Sequence, residues 1–250
     1  MLQDFTLSLL LSVKAVVNEL PHPSAHRRKR WRELNAILSQ NKKAKTNTDG
    51  GFSTGYSSSY VNWEEIGLII YEPLMKPVTI KPKDNLNDIV ESFYGHLRRF
   101  EGINIGERAK LSDFIAPILP YLGILFDDGA QGIKPLVGKS MPGQNINANG
   151  QFEFIIERGN KKICIVEAKK DKIDQGIAQD LLGCEAVADP ESMGCVYGIV
   201  TNYLYWVFLR SLDDRIEKDV ATLAIAEGDS IATKEGLKLI LGKIYALLSE

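Results

Sequence analysis

The stretch Ile163-Cys164-Ile165-Val166-Glu167-Ala168-Lys169 decides how this chain is read. Its continuous apolar run, Ile163 to Val166, fits a strand buried on both faces. Two charged residues then close the strand, and a buried charge without a partner is costly. Residues two apart on a strand point to the same face, so Glu167 and Lys169 project together. Upstream, Glu153 is another acid inside an apolar strand, Phe152-Glu153-Phe154-Ile155-Ile156. The turn between strands 151–157 and 162–168 falls around Gly159-Asn160. Hairpin register decides whether the acids meet. A two-residue loop pairs Arg158 with Lys161, sets Glu153 opposite Val166 and leaves the acids on opposite faces. A loop from Gly159 to Lys161, or one of five residues, sets Glu153 opposite Glu167. In that register two carboxylates and an ammonium converge, which suits a hard divalent cation held by oxygen ligands.

Outward from this hairpin the patterning alternates between helix and strand. A helix opens at Lys172 or Asp174 and runs through Ala188, with Ile177, Leu181 and Leu182 on one side. Cys195–Thr201 and Tyr203–Leu209 read as strands, and Thr233–Leu248 as an amphipathic helix. Upstream, Ile133–Val137 is a weaker strand. Glu107–Leu122 is helical until Pro117 and Pro120 kink or end it. Asn85 is placed to cap a helix from Leu86 to Arg99, whose Leu86, Ile89, Val90, Phe93 and Leu97 recur at helical spacing. Gly67–Tyr71 is strand-like. The class is α/β, a sheet with helices packed on it.

Glu153, then Glu167-Ala168-Lys169, then Gln175 and Gln179 on the following helix, resemble the PD-(D/E)XK nuclease superfamily. The resemblance spans residues 105–210 and implies a restriction-endonuclease-like core: helix, three strands, helix, strand. Glu153 stands where the family usually has Asp, and no Pro precedes it. The resemblance implies that Glu153 and Glu167 hold Mg²⁺ (or Mn²⁺), with the Ala168 carbonyl as a further ligand. The metal would polarise a phosphoryl oxygen and lower the pKa of a bound water. Lys169 would orient that water or stabilise transition-state charge. Gln175 or Gln179 would position water or a phosphate. Glu107, with Asp113 behind it, is the candidate for the acid that relatives carry on the first core helix. The implied activity is phosphodiester hydrolysis, in DNA before RNA, and a homodimer is a possible partner state. Within the superfamily the layout resembles the nuclease-like domains of Crinkler-type effectors of fungi and oomycetes. Two other readings stay open: a catalytically silent fold that holds nucleic acid or protein, and an interaction protein that docks through its terminal helices.

Composition sets the outer bounds. With 250 residues, 44% hydrophobic and 25% charged, the chain can bury a full core. Collagen, a disulfide mini-protein, a coiled-coil rod and a wholly disordered chain are excluded. The net charge of -2 hides an asymmetry. Residues 27–45 hold Arg27, Arg28, Lys29, Arg30, Arg32, Lys42, Lys43 and Lys45 against Glu33 alone, a net +7 against -9 elsewhere. Lys29-Arg30 and Lys42-Lys43-Ala44-Lys45 resemble a bipartite nuclear localisation signal, whose two clusters engage an import receptor if the connection is extended. The competing readings are a flexible arm on nucleic acid and a helix over Trp31–Leu38 that shortens the spacer. Thr46–Tyr60 reads as a Gly/Ser-rich linker. The division is therefore 1–60, with helix, basic segment and linker, and 61–250, the nuclease-like domain. Residues 1–20 read as an amphipathic docking helix, with a weak secretory signal as the alternative. Secretion into a host cell would then precede nuclear action. Cys164, Cys184 and Cys195 offer no CxxC pair, and three histidines assemble no zinc site. No apolar run is long enough to span a membrane.

Overall fold

The computed structural model describes residues 23–45, 56–57, 63–67, 73–99, 115–126, 132–143, 145–146, 148–159, 161–169, 172–225 and 231–249. In chain order they form α1 (Ala25–Lys45), β1 (Tyr56–Ser57), α2 (Trp63–Gly67), β2 (Leu74–Met75), α3 (Leu86–Arg98), α4 (Ile118–Leu125), β3 (Ile133–Pro142), β4 (Ala148–Arg158), β5 (Lys161–Ala168), α5 (Ile173–Glu191), β6 (Cys195–Thr201), β7 (Tyr205–Leu212), β8 (Ile216–Thr222) and α6 (Lys234–Leu248). The strands make one mixed open sheet in the order β1-β4-β5-β6-β7-β8-β2, with β3 on the other flank of β4. β5 and β6 are parallel and joined through α5, whereas β4–β5, β6–β7 and β7–β8 are antiparallel.

Helices cover both faces. On one, α3, α4 and α6 pack with Phe154, Ile156, Val166, Ile199, Trp206 and Phe208. The helical spacing expected of α3 holds, since Leu86, Ile89, Val90, Phe93 and Leu97 are all buried. Asn85 sits at its N-cap without a side-chain cap bond. Thr233 does cap α6, its hydroxyl accepting from the Gly236 amide at 3.0 Å. On the other face, α1, α2 and α5 pack with Val200, Val207 and Leu209. Strand β8 went unforeseen because its acids and lysine mask the alternation. Glu217 and Asp219 are in fact buried, held by Arg215, Lys76 and Lys243. The strand foreseen at Gly67–Tyr71 begins on a residue that ends α2, and residues 68–72 lie outside the described residues, as does 107–114 of the helix foreseen before Leu122.

The β4–β5 turn is the two-residue loop Gly159-Asn160, because Arg158 pairs with Lys161. Gly159 has φ +60°, which the tight primed hairpin turns require. Alone, that loop would separate the acids. The register then shifts, with Glu157 opposite Lys162 but Ile156 opposite Cys164. Ile163 is the extra residue of a β-bulge. Beyond it Phe154 faces Val166, the last pair of β4 with β5 among the described residues.

Helix α5 lies close to the sheet because small residues face it. A Cβ on Gly183 would meet the Phe152 ring at 2.6 Å, and one on Gly176 would meet both the Lys169 Cγ and a Val200 methyl at 2.7 Å. Conversely, the buried Asp180 carboxylate of α5 lies against Gly198 of β6, where any side chain would clash with it.

The basic segment is not a flexible extension. It is the 21-residue α1, its first turn capped by Ser24, whose hydroxyl accepts from the Arg27 amide at 3.1 Å. Its inward stripe is Arg27, Arg30, Trp31, Leu34 and Leu38, all buried. Two of these are arginines because their target, Glu185 of α5, is wholly buried. Arg30 binds it at 2.6 Å, Arg27 at 3.3 Å, and the Trp31 indole donates to it at 2.7 Å. Ser211 of β7 also donates to Glu185, and Arg27 donates to the Ser211 carbonyl at 2.8 Å. The packed unit therefore reaches upstream of Val61, at least to Ser24.

Removing one partner from such a cluster leaves a buried charge uncompensated, at a cost of about 3–5 kcal/mol. We expect Glu185→Ala to lose about that much stability in urea unfolding. Arg28→Ala, on the outer side of the same helix, should stay within about 0.5 kcal/mol.

Candidate functional site

The expected site lies at the C-terminal end of β5. The Ala168 amide donates to the Glu153 carboxylate at 3.2 Å, and the Lys169 amide donates to the Thr201 carbonyl of β6 at 2.8 Å. The first bond has a local cause. Phe152 packs on α5, Phe154 packs on the opposite face, and Ile155 returns to the α5 side. The pleat of β4 is thus interrupted at Glu153, beside Gly138 of β3 with φ +60°. The interruption frees Glu153 from strict alternation and lets its carboxylate reach the backbone of Glu167-Ala168-Lys169.

Lys169 is half-buried, and its Cγ passes the space that a side chain on Gly176 would fill. This places the lysine stem beneath the first turn of α5, next to Gln175. Gln175 is half-buried, whereas Gln179 is 6% exposed, a turn deeper. Glu153, Ala168, Lys169 and Gln175 therefore share one region. The Glu167 backbone stands in register beside them, but its side chain lies outside the described residues, and so do Glu107 and Asp113. The Glu153 carboxylate and the Ala168 carbonyl are hard oxygen donors, the chemistry that Mg²⁺ takes. Among the described residues no group of three His, Cys, Asp or Glu is arranged to hold a metal.

Cys164 and Cys184 are not set up as nucleophiles. Burial, and secondarily the charge of Asp180, pushes the Cys164 and Cys184 thiols well above their ordinary range. They stay protonated, and the thiolate is the reactive form. Asp180 and Glu185 are buried acids that sequence reading missed. The available signal was an acid on each sheet-facing or core-facing turn of a helix whose neighbours, Leu181, Cys184, Val187 and Ala188, are all buried.

The bipartite signal does not stand as expected. Arg30, of the first cluster, is 4% exposed and committed to Glu185, and the spacer is helical throughout, not extended. Lys29 is exposed and spans 3.8 Å to Glu33. The side chains of Lys42, Lys43 and Lys45 lie outside the described residues. Among those described, no helix is long and apolar enough to cross a membrane.

No family model matches the chain. It is similar to Crinkler effector protein 5 of Phytophthora infestans, 38% identical over 247 residues. The alignment takes in 96% of this chain and 66% of that protein's length. The chain spans just under two thirds of that relative's length, and the similarity over most of the chain supports a Crinkler-type effector.

Proposed function

We propose that this chain is the nuclease-like part of a Crinkler-type effector, with a PD-(D/E)XK site that hydrolyses phosphodiester bonds, in DNA before RNA. The observation that carries the reading is the Glu153 carboxylate bonded to the Ala168 amide, inside the Glu-Ala-Lys triplet. It ties one acid to the backbone of the triplet that carries the other acid and the lysine, which supports the reading. Glu153, Glu167 and the Ala168 carbonyl would hold Mg²⁺ or Mn²⁺, and the bound ion would supply Lewis-acid activation of a phosphoryl oxygen and a water of lowered pKa. Lys169 orients that water or stabilises charge on the phosphoryl oxygens. Gln175 holds a phosphate or water at the rim, and Gln179, being buried, supports the helix instead. Glu107 remains the candidate acid from the first core helix. The competing reading, a silent fold used for binding, draws on the same bond, because a carboxylate that caps the last amide of β5 has a structural use without catalysis.

Cleavage of plasmid, linear and single-stranded substrates in Mg²⁺, Mn²⁺ or EDTA separates the two. We expect metal-dependent cleavage that Lys169→Ala reduces by about 10²–10³ while Mn²⁺ binding, followed by calorimetry, is retained. Glu167→Ala should lose both. Wild-type cleavage by Lys169→Ala removes the assigned role. Gly176→Ala, whose methyl would displace the lysine stem and press on Val200, should cut the rate at least tenfold and destabilise the fold by about 1–3 kcal/mol.

We also propose action in the nucleus of a host cell after secretion, with import resting on Lys42, Lys43 and Lys45 at the end of α1. Replacing these three with Ala should shift a tagged fusion toward the cytoplasm and slow its re-entry after nuclear photobleaching. Unchanged distribution and mobility would dismiss the import role.

A further inference from the structure

The docking of α1 sorts its basic residues into two sets. Arg27 and Arg30 turn inward to Glu185, while Arg28, Lys29 and Arg32 stay exposed. Of the exposed set, Lys29 is answered by Glu33. Among the described residues the Arg28 guanidinium donates to the Pro23 carbonyl, at 2.6 Å, and no carboxylate pairs with Arg28 or Arg32. These two arginines line an open groove of about 570 Å³ whose other walls include Pro23, Trp31, Asn35 and Asn145. The far wall is built. The Asn35 amide donates to the Asn145 carbonyl at 2.8 Å, and the Asn145 amide group donates to Asp189 of α5 at 2.6 Å. The groove also flanks the first turn of a long helix that carries no acid of its own there.

We propose that this groove is an interaction surface for a strand of nucleic acid, gripped by its sugar–phosphate backbone. Arg28 and Arg32 are one turn apart, with about 5–6 Å between their Cβ atoms, so each guanidinium can take a different phosphate of one strand. Guanidinium forks match phosphate oxygens in pairs. The lining argues against the other anionic partners. A protein partner needs a central apolar anchor pocket, and Trp31, the aromatic residue of this wall, is buried with its indole committed to Glu185. A lipid surface is met by convex faces that expose apolar residues, and this surface is concave and carries two exposed arginines. The inference rests on the nucleic-acid reading of the catalytic region but concerns different residues, on α1.

The test is fluorescence anisotropy of a labelled oligonucleotide, single-stranded and duplex, with the full chain in EDTA, where no cleavage intrudes. Arg28→Glu/Arg32→Glu should weaken binding at least tenfold. Loss of two phosphate contacts should also flatten the log–log salt slope by about 1.4 for the single strand and about 1.8 for the duplex. Arg28→Gln/Arg32→Gln should weaken binding in the same direction and by less. The charge-matched control Lys81→Glu/Lys238→Glu, at exposed positions off α1, should stay within twofold. Both arginines are exposed, so circular dichroism and thermal melts should match wild type. Wild-type affinity in the arginine variants overturns the proposal, as does an equal loss in the lysine control, which would mean a general field effect. Loss of binding to an acidic peptide or to phosphatidylserine vesicles, with oligonucleotide binding intact, also overturns it by assigning the groove another partner. If the wild-type chain cuts nothing yet the arginine variants lose binding, the groove stands and the nuclease reading falls. If the chain cuts and the arginine variants bind normally, the reverse holds.

Discussion

Side chains alternate along a strand, so a slip of one residue between β4 and β5 would turn every side chain of β5 to the opposite face. Everything at the candidate site depends on how this is resolved. The two-residue turn at Gly159-Asn160 starts the ladder in the register that keeps Glu153 and Glu167 apart, and the bulge at Ile163 shifts it by one residue, so that Phe154 faces Val166. The apolar run at β5 makes the bulge tolerable. Ile163, Cys164 and Val166 all join the same core cluster, so the extra residue stays buried in hydrocarbon and need not reach water. A polar residue at position 163 would have to bury an unmatched group there.

The second constraint is the closeness of α5 to the sheet. Gly176 and Gly183 remove side chains from the helix, and Gly198 removes one from β6. The space released at Gly198 goes to Asp180, and that released at Gly176 goes to the stem of Lys169. The lysine is therefore held by packing along its methylenes, with its position set before any substrate arrives. That is the arrangement a positioned charge needs, since holding a group in place in advance is what makes an electrostatic contribution effective.

Most of the fold was legible where hydrophobic periodicity carries it. The hairpin, α3, α5, β6 and α6 fall within a few residues of their expected bounds, because their buried positions are apolar and recur at the period of the element. Three features were not legible for three different reasons. The bulge is a register event, and hydropathy does not encode register within a continuous apolar run. The helix α1 buries arginines, which any hydropathy scale assigns to solvent, so its inward stripe read as a basic tail. Strand β8 hides its buried side behind Glu217 and Asp219, whose partners are Arg215 just before the strand, Lys76 next to β2 and Lys243 of α6. At the site, Glu153 and Lys169 could be named from their strand context. Their actual relation, a carboxylate on the Ala168 amide and a lysine under Gly176, depends on an interrupted pleat and a missing Cβ.

The ionic attachment of α1 has a consequence that an apolar one would not. Replacing a buried ion cluster by hydrocarbon is often neutral or stabilising, so Glu185 with Arg27 and Arg30 is weak evidence for stability. It is better evidence for a single docking register. An apolar stripe can slide by a turn and still bury its surface, whereas two guanidiniums and an indole must all reach one carboxylate. Sliding α1 by four residues would put Pro23 and His26, or Trp31 and Leu34, in the places of Arg27 and Arg30 and remove the ion pairs made there. That single register in turn fixes which basic residues of α1 face solvent. Arg28 and Arg32 point into the groove beside Asn145 because Arg27 and Arg30 cannot be anywhere but at Glu185. The buried half of the basic segment thus positions the exposed half.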